Sequence, residues 1–284
     1  MSATSLTVAL LTESFFGDGA GERLTERLRS ARGQGAELAV LPELGAQAWV
    51  CASKQSREQD AEREDGPRVA MQRNAARDAG VALIGASITI DQPTGERRNR
   101  AFFVDSMGDV RATYDKVHLP EETGYWETSH YEPGDRMARP VECLGMRVGM
   151  QICSDANRPM GSHLLGAMGA EIIVIPRATE GASWDRWRPV MIANALTSCA
   201  YVISVNRPGG EAGAEDAAIG GPSVAISPRG EMLVESDEPI SLITCERSVV
   251  DEARTRYPGY LAIKSSLYAE AWQEAPPRER PHGG

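Results

Sequence analysis

Four side chains in this sequence have the chemistry needed to transfer an acyl group: Glu43, Lys116, Glu127 and Cys153. Cys153 follows an apolar run directly, so a buried strand would deliver its thiol to the polar turn that comes next. Glu43 and Lys116 also stand where predicted strands end, and Glu127 lies in the loop after Lys116. A carboxylate can accept a thiol proton and return it to a leaving amine, and an ammonium group can stabilise an oxyanion. The set is therefore complete for attack of a thiolate on a carbonyl carbon.

Each of these residues has an ordinary structural explanation when it is taken alone. A cysteine at a strand end often serves as a small apolar side chain, a glutamate in a turn is usually solvated, and a lysine is usually exposed. Taken together, the residues favour a catalytic role over a structural one, because a nearby cation is expected to lower the pKa of the Cys153 thiol. His118 and His163 are alternative bases, but neither lies in the sequence context of a papain-like cysteine–histidine pair.

Strands and helices alternate in each half of the chain, and this pattern predicts how the four residues are positioned. Such alternation implies mostly parallel sheets with helices outside, while the consecutive strands that close each half imply antiparallel additions. The predicted fold class is therefore α/β with two similar halves. The predicted strands are 5–12, 37–41, 81–90, 100–106, 109–114, 146–152, 171–176, 200–206, 219–227, 231–235 and 240–245, and the predicted helices are 21–33, 67–79, 160–169, 184–199 and 248–254.

The segment 116–140 between the halves is rich in proline, glycine and aromatic residues and lacks periodicity. Long irregular segments of this kind are often functional. No linker rich in glycine or serine separates the halves, so we expect a single domain at residues 1–272. Residues 273–284, rich in proline, arginine and glycine, are expected to form an irregular C-terminal tail.

The composition restricts the classes of partner. The 284 residues carry a formal net charge of −10, which argues against nucleic acid or an anionic membrane as the main partner. No apolar run approaches the roughly 20 residues that span a bilayer, and the N-terminus has no basic region typical of a signal peptide. The five cysteines include no CxxC pair, which indicates reduced thiols in the cytoplasm, and the four histidines lack metal-ligand spacing.

Three ordered motifs give the sequence a resemblance to the nitrilase superfamily of carbon–nitrogen hydrolases over nearly the whole chain. A strand-end Pro-Glu motif is matched at Glu43, a Lys-x-His-Leu motif at Lys116, and a Gly-x-x-Ile-Cys motif at Cys153. The loop pattern Gly-Tyr-x-Glu, which ends at Glu127, is similar to the family's second active-site glutamate. Any one motif would be weak, but the three occur in the family's order and each lies at a strand end.

The resemblance implies a four-layer α-β-β-α sandwich that forms a homodimer or a larger homo-oligomer and needs no metal or organic cofactor. It also implies a mechanism. Glu43 deprotonates Cys153, and the thiolate attacks the carbonyl carbon of a small amide or ureido substrate. Lys116 and the backbone N–H of Ser154 hold the oxyanion, an amine or ammonia leaves, and water positioned partly by Glu127 cleaves the thioester.

The residues after the cysteine indicate the branch of the superfamily. Enzymes that act on nitriles typically have Trp-Glu there, whereas this chain has Ser154 and Asp155, which is similar to the amidase and carbamoylase branches. Two alternatives stay open: a nitrilase that converts a nitrile to an acid, and a non-catalytic member of the fold. The candidate substrate-binding residues are Ser154, Trp126, Arg158, Arg177 and Asn157, and Glu121 and Glu122 are further candidates to face a cationic amine.

Overall fold

The computed structural model of the chain describes residues 4–211 and 214–276. Its helices are α1 (Ala20–Gly33), α2 (Pro67–Ala79), α3 (Pro159–Ala167), α4 (Trp184–Ser198), α5 (Arg247–Thr255) and α6 (Ser265–Glu274). Its strands are β1 (Ser5–Leu10), β2 (Leu38–Val40), β3 (Glu62–Arg63), β4 (Ala82–Ile90), β5 (Arg97–Val104), β6 (Val110–Asp115), β7 (Glu121–Glu122), β8 (Tyr125–Trp126), β9 (Val141–Cys143), β10 (Met146–Met150), β11 (Ile172–Arg177), β12 (Tyr201–Asn206), β13 (Ser223–Ile226), β14 (Met232–Ser236) and β15 (Ser241–Glu246).

Strand β1 shows how the sequence produces a layered structure, because alternate side chains of a strand point to opposite faces. Leu6, Val8 and Leu10 belong to the core that lies between two sheets, whereas Ala9 and the following Leu11 belong to a second core beneath helices. A strand that buries both faces must lie in an inner layer, with another sheet on one side and helices on the other.

Two large mixed sheets have the same plan. The first has the strand order β15-β1-β2-β4-β5-β6, with β3 paired to β4, and the second has the order β14-β13-β12-β11-β10-β9. Apart from β3, which pairs parallel with β4, each sheet contains three parallel strands, two antiparallel strands on one side and one antiparallel strand on the other. The predicted pseudo-symmetry is confirmed, although β15 crosses back from the second half to pair with β1.

Helices cover the outer face of both sheets. Leu24 and Leu28 of α1 pack with Leu83 of β4 on the first sheet, and Leu165 of α3 and Met191 of α4 pack in the core of the second. The order of layers is therefore helix, sheet, sheet, helix, so the predicted α-β-β-α sandwich is confirmed. No helix in the described parts of the chain is long and apolar enough to cross a membrane.

The C-terminal region differs from the sequence-based expectation. Helix α6 was not predicted, and none of its residues is buried, so the periodic burial that identifies most helices is missing there. Residues 273 and 274 of the predicted tail are the end of α6, and 277–284 lie outside the described residues. The domain limits at 1–272 and 273–284 remain predictions.

Candidate active site

Strand ends bring the four candidate catalytic residues together. Glu43 follows β2, Lys116 is the first residue after β6, and Cys153 follows β10, while Glu127 comes directly after β8. Strand β5 is antiparallel to both β4 and β6, so β6 runs in the direction of β2 and their carboxyl ends share one edge of the sheet. The relative exposures of Glu43, Lys116, Glu127 and Cys153 are only 0%, 1%, 0% and 3%.

Lys116 forms the centre of the site. Its Nζ lies 2.7 Å from Glu43 Oε1 and 2.7 Å from each carboxylate oxygen of Glu127. Burial lowers the pKa of this amine, but the charges of Glu127 and Glu43 outweigh burial and hold the pKa well above its usual value. Lys116 is therefore a fixed cation, and it compensates two carboxylates that would otherwise be buried without a partner.

One oxygen of the Glu43 carboxylate accepts hydrogen bonds and the other does not. Oε1 accepts from Lys116 and from Asn99 Nδ2 at 2.8 Å, whereas Oε2 is buried and has no hydrogen-bond partner among the described residues. The turn is held by Arg207, whose guanidinium donates to the carbonyl oxygens of Glu43 and Leu44 at 2.9 and 2.8 Å. Leu44 has a φ of 48°, a strained conformation for a residue with a side chain. The turn therefore holds Oε2 in a fixed, buried position.

Glu127 is placed to change its charge near neutral pH. Burial raises the pKa of its carboxyl group to about 7, and Lys116 limits that rise. Tyr131 contributes a side-chain hydrogen bond to Glu127 and accepts one from Asn99 Nδ2 at 3.2 Å. Asn99 therefore contacts the networks of both glutamates, and it fixes their relative position.

Cys153 is subject to opposing effects on the pKa of its thiol. Burial raises the pKa of the thiol well above its usual value; the Glu43 charge adds to the rise, and Lys116 only opposes it. The neighbouring cation does lower this pKa, as expected, but desolvation and the carboxylate outweigh the lysine. Cys153 also has a φ of 45°, in the left-handed region. The resting thiol keeps its proton, so attack requires a base.

Asp155 ties the cysteine turn to the segment that carries Lys116. Its carboxylate accepts from the Ile152 N–H at 3.2 Å, from Tyr114 OH at 2.9 Å and from the His118 N–H at 2.9 Å. The His118 ring Nδ1 lies 2.8 Å from the same carboxylate. His118, an alternative base on sequence grounds, is thus a partner of Asp155. This carboxylate joins the two sheets at the site.

A cavity of about 680 Å³ reaches Cys153 and has the size of a small-molecule site. Among the predicted substrate-binding residues, Ser154 and Asn157 line it. The rest of its wall combines hydroxyl groups, aromatic rings and charged side chains: Pro120, Glu122, Thr123, Tyr125, Ala178, Thr179, Glu180, Ser183, Arg186 and Trp187.

Trp126, Arg158 and Arg177, the other predicted substrate-binding residues, are not part of this lining. Trp126 is half-buried, and the Lys54 ammonium covers its ring at 4.0 Å from the centroid. Arg158 is exposed and donates to a neighbouring backbone carbonyl at 3.1 Å. Arg177 is buried and donates to Thr179 Oγ1 at 2.6 Å, so internal bonds occupy its guanidinium. None of the three belongs to the lining, so a role for them in substrate binding stays a prediction.

Asn99, Tyr131 and Arg207 are supporting residues that sequence reasoning missed. A signal existed for Asn99, because it shares a face of β5 with buried Ala101 and Phe103 and is therefore a polar residue directed inwards. Tyr131 and Arg207 lie in stretches that resemble the family's sequences, but their contacts span long sequence separations, so the sequence alone assigned them no role. In residues 4–211 and 214–276, no group of three or more histidine, cysteine or acidic side chains is arranged to hold a metal ion.

Comparisons with known proteins agree with this geometry. A family model described as carbon-nitrogen hydrolase matches residues 17–257. N-carbamoylputrescine amidase of Arabidopsis thaliana is 26% identical over 253 residues, covering 84% of this chain and 82% of the relative. Citrullinase of Francisella tularensis is 25% identical over 225 residues, covering 76% and 78%. A carbon-nitrogen hydrolase structure from Helicobacter pylori superposes with a TM-score of 0.81 at 21% identity, covering 94% and 98%, and thus has the same fold.

Proposed function

The chain belongs to the carbon–nitrogen hydrolase family, within the nitrilase superfamily, and we propose that it hydrolyses a small amide or N-carbamoyl compound through a thioester on Cys153. The observation that carries this proposal is the unpaired, buried oxygen Oε2 of Glu43, a carboxylate whose charge acts on the protonated Cys153 thiol in the wall of a cavity. Relatives named N-carbamoylputrescine amidase and citrullinase support a carbamoyl group as one form of the substrate.

In the proposed first half-reaction, Glu43 Oε2 accepts the thiol proton while Sγ bonds to the carbonyl carbon. The developing oxyanion is stabilised by the Lys116 ammonium and by the backbone N–H of Ser154. Ser154 is the second residue of a short 3₁₀ turn, where an N–H group has no partner within the turn. When the tetrahedral species collapses, the C–N bond breaks, and Glu43 returns its proton to the leaving nitrogen. The products of this half-reaction are a thioester and an amine or ammonia.

In the second half-reaction, Glu43 deprotonates a water molecule that attacks the thioester carbonyl carbon. The C–S bond breaks, the proton returns to sulfur, and the acid is released. Glu127 helps to hold Lys116 and to orient the water. Because Lys116 stays charged throughout, the oxyanion is stabilised in both half-reactions without a change of protonation at the lysine.

The function is tested with matched substrates. We expect the protein to release ammonia or amine from a primary amide or a monosubstituted urea, with a kcat/KM at least about tenfold above that for the nitrile of the same carbon skeleton. Faster acid formation from the nitrile would support the nitrilase alternative. Failure to hydrolyse any member of the panel by a folded protein would support the non-catalytic alternative.

We also propose that the protein forms a homodimer through its C-terminal region. Tyr268 and Trp272 of α6 have relative exposures of 51% and 61%, and Leu261 and Ile263 lie exposed beside them. An isolated helix of this length is marginal in water, so its apolar face needs cover. An apolar groove of about 710 Å³ between α3, the end of α4 and residues 258–268 includes Leu261, Ile263 and Tyr268 in its wall. A second copy would cover both features reciprocally.

The dimer is tested by Tyr268→Asp combined with Trp272→Asp. We expect light scattering after size-exclusion chromatography to show a dimer mass for the wild type and half that mass for the double variant. The matched control is Glu270→Lys, a charge change on the opposite side of α6, which should leave the mass unchanged. A wild-type mass equal to one chain would contradict the proposal.

A cytoplasmic location is proposed from the thiols. Cys51, Cys143, Cys153, Cys199 and Cys245 are all free and buried, as is usual in a reducing compartment. Fractionation of expressing cells should recover the protein with cytoplasmic markers, and recovery from an oxidising compartment would contradict this.

A further inference from the structure

Arg177 is a buried cation without a carboxylate partner among the described residues. It is the last residue of β11, and its relative exposure is 1%. The guanidinium donates from Nε to Ser204 Oγ at 2.9 Å, from Nη1 to Thr179 Oγ1 at 2.6 Å, and from Nη2 to the Pro222 carbonyl oxygen. All three acceptors are neutral, so the hydrogen bonds hold the side chain in place but do not neutralise its charge.

Two other buried cations of the chain are paired with carboxylates. Lys116 contacts two glutamates, and Arg207 forms an ion pair with Glu211. A buried charge without a counter-ion is costly, because it has lost its hydration. Burial accordingly lowers the pKa of Arg177 to about 10, which still leaves the side chain protonated at neutral pH. A role beyond packing would account for a cation kept at this cost.

The end of β11 contacts both the proposed nucleophile and the turn of the proposed base. The Cys153 thiol donates to the carbonyl oxygen of Ala178, the residue after Arg177, at 3.6 Å. The Arg177 carbonyl oxygen accepts from the Glu43 N–H at 3.4 Å. The guanidinium lies over the Trp184 ring, with Cζ 5.0 Å from the ring centroid. The side chain is therefore fixed in a segment that joins the cysteine turn to the glutamate turn.

The pKa of Arg177 responds to the charge on the cysteine and not to the charges on the catalytic glutamates. A negative charge on Cys153 opposes the fall of this pKa most, and Asp237 comes next. Neither Glu43 nor Glu127 is among the groups that raise it. Asp237 is exposed, so water and salt screen its charge. The sulfur of Cys153 is therefore the main position at which a negative charge would compensate this guanidinium.

We propose that Arg177 is a positioning residue that acts through Cys153, because its buried charge stabilises the negative charge that develops on the sulfur. This inference rests on the proposed function. In the first step the proton moves from Sγ to Glu43 Oε2, and the negative charge moves from the carboxylate to the sulfur. Lys116 contacts the carboxylate that loses this charge, whereas Arg177 responds to the sulfur that gains it. Stabilisation that appears only as the charge moves lowers the barrier.

The test is alkylation of Cys153 by iodoacetamide, a small neutral reagent, at pH 8 without substrate, with peptide mass spectrometry to assign the label. Arg177→Gln and Arg177→Met both remove the charge. Each should slow alkylation at least about threefold, because loss of a nearby cation raises a thiol pKa by about one unit and the smaller thiolate fraction is only partly offset by higher nucleophilicity. Arg177→Lys keeps the charge and should restore most of the wild-type rate.

A purely structural role of Arg177 predicts the opposite result. A neutral side chain that only loosened the cysteine turn would expose the sulfur, reduce its desolvation and speed alkylation. The matched control is Arg188→Met, which removes a half-buried arginine that pairs with Glu235 on the surface and should leave the rate unchanged. An unchanged or faster rate in the neutral variants, or an equally slow rate in Arg177→Lys, would overturn the proposal. Loss of the native near-ultraviolet circular dichroism in both neutral variants would also overturn it, since Arg177 would then serve the fold.

The alkylation assay distinguishes failure of this inference from failure of the proposed function, because it needs no turnover. Slower alkylation of the neutral variants, together with no hydrolysis of any amide by the wild type, would support the effect of Arg177 on the thiol and reject the hydrolase. Hydrolysis by the wild type, with neutral variants that are alkylated as fast as the wild type, would do the reverse. In an active enzyme, Arg177→Gln should lower kcat by about three- to tenfold and change KM less than about twofold, because charge develops on the sulfur only after substrate binds.

Discussion

Replacement of Cys153 by alanine is expected to abolish hydrolysis, with kcat lower by a factor of about 10⁶, the size of loss seen when a covalent nucleophile is removed. The remaining groups do not offer a second route. Lys116 is protonated and paired with two carboxylates, and Glu43 would have to activate water against an amide directly. The measurement is single-turnover release of ammonia or amine, together with mass spectrometry of the intact chain.

Mass spectrometry adds a second readout to this prediction. The wild type mixed rapidly with substrate should show an acyl or carbamoyl adduct on the peptide that contains Cys153, and Cys153→Ala should show none. Cys143→Ala is the matched control, because this cysteine is equally buried but lies on β9 in the core, away from the cavity. Turnover by Cys153→Ala at more than about one thousandth of the wild-type rate would contradict the thioester mechanism.

The layers of the fold could be predicted because most strands and helices carry a regular burial pattern. Helices predicted at 21–33 and 67–79 lie at Ala20–Gly33 and Pro67–Ala79, since the apolar spacing and a terminal glycine mark them locally. Helix α6 could not be predicted in this way, because none of its residues is buried. Pairing of β15 with β1 could not be predicted from local sequence patterns either, since it joins opposite ends of the sequence.

Strand ends and sequence motifs were the only features of the sequence from which the site could be predicted. Both place Glu43, Lys116 and Cys153 at carboxyl ends of strands, and the structure brings these three residues together with Glu127. Burial is a property of the assembled layers, and it raises the Cys153 pKa by more than the expected effect of Lys116 lowers it. Specificity depends on the same assembly.

The charged residues near the cavity show that the sequence alone does not determine which side chains line the site. Arg158 and Arg177 had the right chemistry for an anion on sequence grounds, but one is exposed outside the cavity and the other is committed to internal bonds. Glu180 had no motif to mark it, and it lines the cavity because the Thr179–Asn206 contact fixes its backbone.

The Lys116→Met variant is expected to lose both activity and stability. Loss of the oxyanion cation should lower kcat by at least about 10²- to 10³-fold. The free energy of unfolding should fall by about 3–5 kcal/mol at pH 8, because Glu43 and Glu127 would remain buried without their shared partner. Methionine has a similar length and leaves no large cavity, so the loss measures charge rather than packing.

The pH dependence of this loss distinguishes charge from shape. Burial already raises the pKa of Glu127 to about 7 in the presence of Lys116, which opposes the rise, so removal of the lysine raises this pKa further. An unfolded glutamate has a pKa of about 4.3. Above that value the native variant binds more protons than the unfolded chain, so its stability falls as pH rises and continues to fall above 7. Urea unfolding should therefore show a larger deficit, relative to the wild type, at pH 8 than at pH 5.

The double variant Lys116→Met with Glu127→Gln is the control, since it removes one buried carboxylate together with the cation. It should recover part of the stability that Lys116→Met loses at pH 8, and its stability should depend less on pH, while its activity stays low because the oxyanion cation is still missing. An equal deficit at pH 5 and pH 8 for the single variant would show that Lys116 contributes through packing alone. Recovery of activity in the double variant would show that the lysine serves only to neutralise Glu127, and the proposed mechanism would then lose its main electrostatic contribution.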